Sequence, residues 1–192
     1  MIRTSHVAAT VAFTLAVITS PLAQATGGTD TFDEGMQPIV ARYLVIQDAL
    51  ASDSTTGVTA AATDIATLAG KLDAKSVTGE HAEHYKDVPA KLGVAAAMLA
   101  KAKTLDEARA AFKGVSMPMA MWAGMAKPDK IDVVYCDMAK GSWLQARGPV
   151  RNPYYGKSML SCGEVVGAAG HACTGDCPHK SEGGHDCPHA KR

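Results

Sequence analysis

The stretch TLDEARAAFKGVSMPMAMW, running from Thr104 to Trp122, decides the fold of this chain. Thr104 and Glu107 form a capping-box pattern, in which the threonine accepts the N–H of the third helical residue and the glutamate reaches back to the N–H of the cap. Ala108, Phe112, Val115, Met119 and Trp122 then recur at three- and four-residue spacing. That period places apolar side chains on one face of an α-helix. Met117, Met121 and Met125 form a second stripe at i, i+4 intervals. Pro118 removes a backbone hydrogen bond where the methionines concentrate.

Upstream, three more segments carry the helical period. Met36, Ile39, Val40, Tyr43, Leu44, Gln47 and Leu50 predict a helix ending near Ser52-Asp53-Ser54, with Pro38 in its first turn. Val58, Ala61, Ala62, Ile65, Leu68, Ala69 and Leu72 predict a second, and Tyr85, Val88, Leu92, Ala95, Ala96 and Leu99 a third, in which Pro89 requires a late start or a kink. Short polar connections favour a mainly α fold, an antiparallel up-and-down bundle of about four helices. Alanine on the apolar faces lets the helices approach closely while each buries little area, so the bundle is expected to be slim.

Downstream of Lys127-Pro128-Asp129 the period changes. Ile131 to Tyr135 is β-branched and aromatic and reads as a strand, and Gly141 to Gln145 is a candidate partner. Turn residues follow from Arg151 to Gly156, and the run Met159-Leu160-Ser161-Cys162-Gly163-Glu164 completes a small β/loop subdomain. From Gly167 onward there is almost no large apolar residue, which predicts a disordered Cys/His-rich tail over 167–192.

At the other end, Arg3 precedes an apolar run from Val7 to Ile18, and Ala23-Gln24-Ala25 has the small-x-small cleavage pattern. Residues 1–25 are therefore expected to be a signal peptide, 26–166 the helical domain with its subdomain, and the protein exported, to the periplasm in a Gram-negative cell. The apolar run is shorter than the roughly 20 residues a membrane span needs. The remaining chain, about 165 residues, suits one domain plus a tail. Lys plus Arg and Asp plus Glu are 19 each. Without a net field or a basic block, nucleic acid and anionic membranes are not expected partners.

The chemistry-bearing residues are sulfurs and imidazoles. Cys136 and Met138 form Cys-x-Met, and Met159 and Cys162 form Met-x-x-Cys. Thiolate with thioether suits Cu(I) and, by softness, Ag(I). A Cys136–Cys162 disulfide, with the methionines as core filler, is the alternative in an oxidising compartment. Met117 and Met121 are either core filler or auxiliary thioethers. The tail holds four of the seven histidines (His171, His179, His185, His189) and three of the five cysteines (Cys173, Cys177, Cys187). It reads as a flexible metal reservoir, with Zn(II) in a Cys3His set open as well, since Cys173 and Cys177 fall at zinc-site spacing. His81 and His84, three apart, are a weak pair best read as solvated surface. No phosphate-cradling loop, His-Glu-x-x-His or nucleophile elbow occurs, and no enzymatic activity is expected.

The string from Tyr43 to Ser54, the Cys-x-Met-Ala of Cys136 to Ala139, Trp143-Leu144-Gln145, Asn152-Pro153-Tyr154-Tyr155-Gly156 and Met159-Leu160-x-Cys162-Gly163-Glu164 together resemble the DUF3347 family. The likeness runs roughly from Met36 to Val166. That family is a domain of unknown function found as exported proteins and on periplasmic adaptor subunits of heavy-metal efflux pumps. The resemblance implies copper or silver handling, with Cys136, Met138, Met159 and Cys162 at the family's cysteine and methionine positions. The family commonly has Cys-Pro-Met, often after a histidine; here Asp137 replaces the proline and Tyr135 precedes the cysteine.

The expected function is sequestration or transfer of Cu(I) or Ag(I) in heavy-metal resistance, with an efflux adaptor or a metallochaperone as partner. The rivals are a docking module on a metal efflux complex, stapled by disulfides, and zinc binding by the tail.

Overall fold

The computed structural model describes residues 28–77 and 82–166. The expected signal peptide, His81 and the Cys/His tail lie outside the described residues. The fold is mainly helical, with one small antiparallel sheet. Its helices are α1 (Gly28–Ala51), α2 (Val58–Ala69), α3 (Ala82–Tyr85), α4 (Val88–Leu99) and α5 (Leu105–Ala126).

The capping box at the start of α5 forms as its sequence requires. Thr104 Oγ1 accepts the N–H of Glu107 at 3.2 Å, and Glu107 Oε2 accepts the N–H of Thr104 at 3.3 Å. Phe112, Val115, Met119 and Trp122 are all buried in the core.

Contacts along α1 set its direction against two neighbours. Gly35 abuts Leu72, Arg42 pairs with Asp64 at 3.0 Å, and Gly57 sits beside Val45, so α1 and α2 are antiparallel. On α5, Trp122 Nε1 donates to Asp33 at 2.7 Å, Ser116 meets the Tyr43 hydroxyl at 2.7 Å, and Arg109 donates to the Leu50 carbonyl at 2.9 Å. Thus α1 and α5 are also antiparallel. Helix α4 packs on both α2 and α5, with Gly93 beside Ala69 and Gly114 beside Ala95. Small residues at these crossings let the backbones approach closely.

Two expectations need revision. Helix α1 begins well before Met36, because the apolar stripe extends back to buried Phe32, whose ring meets Tyr85 edge-on at 4.9 Å. Pro38 therefore lies inside the helix and not in its first turn. Both Pro38 and Glu34 are exposed, so the carbonyl deprived of a partner stands on the wet side of the helix, where water replaces the lost bond. The third expected helix divides into α3 and α4, with Pro89 at the start of α4. A proline there has no intrahelical N–H to lose.

The sheet follows directly. β1 (Ile131–Cys136) pairs antiparallel with β2 (Gly141–Ala146), setting Val134 opposite Trp143 and Cys136 opposite Gly141. A two-residue strand, β3 (Glu164–Val165), adds to the other side of β1, giving the order β2-β1-β3. It is too short to announce itself by alternation. The outer edge of β2 is covered: the Tyr43 hydroxyl accepts the Leu144 N–H at 3.2 Å, and the Tyr154 hydroxyl donates to the Ser142 carbonyl. These contacts satisfy edge groups that would otherwise invite another strand.

A candidate two-thiol site at the end of the hairpin

Cys136 is the last residue of β1, buried on the sheet face that carries Val134 and Trp143. The chain then turns through Asp137 to Lys140, with Lys140 in the left-handed region at φ 47°. This turn aims the Ala139 N–H at the Cys136 sulfur, at 3.4 Å. Lys113 of α5 donates to the Ala139 carbonyl, tying the turn to the bundle.

Cys162 arrives by a different route. Fully buried Asn152 accepts the N–H of Tyr154 at 2.8 Å and of Tyr155 at 3.3 Å, closing the Asn-Pro-Tyr-Tyr turn, while its amide donates to the Cys162 carbonyl at 2.7 Å. Its own N–H donates to the Leu160 carbonyl at 2.8 Å. One side chain thus organises the whole return segment. Gly163, at φ 149°, leaves no room for a side chain, since a Cβ would lie 2.6 Å from the Trp143 ring and 2.8 Å from Val134. Close approach of this glycine lays Cys162 against the end of β1.

The result is a Cys136 Sγ to Cys162 Sγ separation of 2.8 Å between two free cysteines. Cys136 is buried and Cys162 half-buried. Burial pushes the Cys136 thiol up, but hydrogen bonds from the Cys162 thiol, from the Ala139 and Met138 N–H groups and from the Asn152 amide outweigh it, holding Cys136 below the ordinary thiol range. The shared hydrogen bond, burial, and the charges of Cys136 and Asp137 push Cys162 up. Of the two thiols, Cys136 is therefore the one that gives up its proton first.

Met138, on the turn, is 62% exposed, and its carbonyl accepts the Tyr155 hydroxyl at 3.1 Å. Met159 is half-buried at the end of a 3-10 turn, Gly156–Met159, and its carbonyl accepts the Cys162 N–H at 3.0 Å. Each methionine therefore flanks one thiol. Met117 and Met121, both exposed on α5, line a cleft with Tyr135, Ser142 and Tyr154. Successive strand residues point to opposite faces, so Tyr135 turns toward this cleft and Cys136 away from it. Met119, by contrast, is core. His84 is exposed on α3. Among the described residues no three His, Cys, Asp or Glu side chains gather as a metal cluster. His171, Cys173, Cys177, His179, His185, Cys187 and His189 lie outside the described residues.

Asn152 was not among the residues singled out for chemistry. The signal was there: asparagine before proline favours a turn in which its own side chain bonds the backbone two residues on. Its reach to Cys162, ten residues away, is tertiary.

Two sulfurs so placed can share a proton, join, or open around a soft ion. With metal–sulfur bonds of about 2.3 Å in tetrahedral geometry, the sulfurs must stand roughly 3.8 Å apart. A tetrahedral ion therefore requires the pair to spread by about 1 Å.

Fold and site together define a helical protein bearing a two-thiol site on a small appended sheet. Residues 39–129 match the family model DUF3347, a protein of unknown function. The match runs from within α1 to just past α5, so Cys136, Met138, Met159 and Cys162 lie downstream of it. Comparisons with curated proteins and with solved structures yield no match. No helix among the described residues is long and apolar enough to cross a membrane.

Proposed function

We propose that this protein is a non-enzymatic, exported metal-binding protein of the periplasm that sequesters or passes on Cu(I), and by softness Ag(I), in heavy-metal resistance. The observation that carries the reading is the 2.8 Å contact between Cys136 and Cys162, which draws two soft ligands 26 residues apart in sequence into one site. Thiolate is the form that ligates metal, and the hydrogen bonds converging on Cys136 favour that form. Met138 and Met159 stand next along the chain as thioether ligands, and soft thioethers suit Cu(I) where hard ions gain little. An exposed Met138 has no packing role to explain its place on the turn. The Cys/His tail serves as a tethered reservoir that raises the local metal concentration. An efflux adaptor or a metallochaperone is the partner that would receive or deliver the ion.

The test is an anaerobic Cu(I) titration of the reduced protein against a competing chelator. Cys136→Ala with Cys162→Ala should abolish tight binding at the folded site. Unchanged affinity in that double variant would remove the site from the account, and metal content after growth in copper-replete and zinc-replete media distinguishes copper from zinc.

The same sulfur contact favours a second reading, a docking module for an efflux complex whose cysteines act as a disulfide staple. Capture of the adaptor by the double variant, independent of metal, would favour that reading.

A further inference from the structure

The two thiols differ in accessibility as well as environment. Cys136 is 1% exposed, enclosed at the end of β1, whereas Cys162 is half-buried on the return segment. The residue at 162 is partly open to solvent and the one at 136 is closed off, yet the two sulfurs touch at 2.8 Å. Disulfide sulfurs lie about 2.05 Å apart, so closing the remaining gap takes less than about 1 Å of movement.

We propose that Cys162 is a thiol–disulfide exchange site for low-molecular-weight disulfides, and that Cys136 is the resolving thiol that converts the mixed disulfide into a Cys136–Cys162 bond. In the first step Cys162 loses its proton to solvent and its sulfur attacks one sulfur of the incoming disulfide. The old S–S bond breaks, and one thiolate leaves and takes up a proton. In the second step the sulfur of Cys136, also deprotonated, attacks the Cys162 sulfur and expels the other half as a second thiol. Two protein thiols are oxidised by two electrons, and one small disulfide is reduced to two thiols. The order follows from geometry, since the attacked sulfur must be reachable and the resolving one must lie behind it. This inference concerns the metal-free protein and does not depend on the copper reading. Its consequence for that reading is that exchange would withdraw both thiolates from any ion.

The experiment uses the full chain with serine at Cys173, Cys177 and Cys187, freed of metal by chelator and exposed to glutathione disulfide. Acid-quenched samples are mapped by non-reducing peptide mass analysis. In the parent, a transient glutathione adduct on Cys162 should give way to a Cys136–Cys162 linked peptide. Cys136→Ser should accumulate a lasting adduct on Cys162, while Cys162→Ser should react at Cys136 roughly tenfold more slowly or less, as its enclosure demands. In urea that difference should vanish, because it comes from the fold and not from neighbouring residues in sequence. Equal rates at the two cysteines in folded protein, or an adduct on Cys162 that persists in the parent, would overturn the proposal. If Cys136→Ser failed to fold, the order of appearance of adduct and link in the parent would still decide it. A failed copper titration leaves these outcomes untouched, and the reverse holds as well.

Discussion

Arg109 on α5 binds Asp53 just beyond the end of α1, and the same guanidinium donates to the carbonyls of Leu50 at 2.9 Å and Pro153 at 3.1 Å. One side chain, 15% exposed, joins two helices and the segment that carries Cys162. Arg109→Ala leaves those acceptors without their donor. The expected loss is about 2–3 kcal/mol, the scale for hydrogen bonds from charged groups, read as a lower urea midpoint.

Gly156 passes over this contact at φ +56°, and a Cβ there would collide with both Asp53 and Arg109. Gly156→Ala combines a left-handed conformation with that clash. A destabilisation on the order of 1–3 kcal/mol is expected, with a fall in thermal midpoint while helical content at low temperature is retained.

Asp53 also supplies a pH dependence. The Arg109 hydrogen bond lowers its carboxyl below the ordinary aspartate range, assisted by the Lys157 N–H. A group depressed in the folded state binds fewer protons there than in the unfolded chain. Its contribution is therefore fully present above the ordinary aspartate value, about 4, and is lost as pH falls toward the depressed folded value. Urea midpoints measured between neutral pH and pH 3 should drop more steeply in the parent than in Asp53→Asn.

Tyr43→Phe removes the hydroxyl shared by Ser116 and the Leu144 N–H, both buried. The expected cost is about 1–2 kcal/mol. Hydrogen exchange should accelerate at Leu144 more than at Trp143, whose pairing with Val134 lies on the inner side of the strand.

Met138→Leu keeps size and apolarity at an exposed turn position, so stability should not change. Cu(I) affinity should fall on the order of tenfold, the scale at which supporting groups contribute to metal sites. Equal affinity in the competition titration would take Met138 out of the ligand set.

The helices were legible because burial on one face imposes a local period. Phe112, Val115, Met119 and Trp122 could be assigned to the core from spacing alone, and the hairpin followed from β-branched residues at Ile131 to Tyr135. Phe32 was missed because the segment before Met36 is largely polar; its burial comes from contact with Tyr85 of another helix. Helical spacing separated the two methionine stripes, but the core-filler reading holds for Met119 alone, since Met117 and Met121 are exposed. That the outward pair lines a cleft with Tyr135 depends on how the hairpin lies on α5, which no local period encodes.

Helical class and hairpin were readable from residues a few positions apart, and the sulfur residues from the Cys-x-Met and Met-x-x-Cys spacings. Only the folded chain brings Cys136 and Cys162 into contact and leaves one of them buried and the other half-buried. The physical reason is that these relations hang on an irregular segment with no period of its own. It is held in place by Asn152, by Arg109 and by the one glycine that fits beneath Trp143.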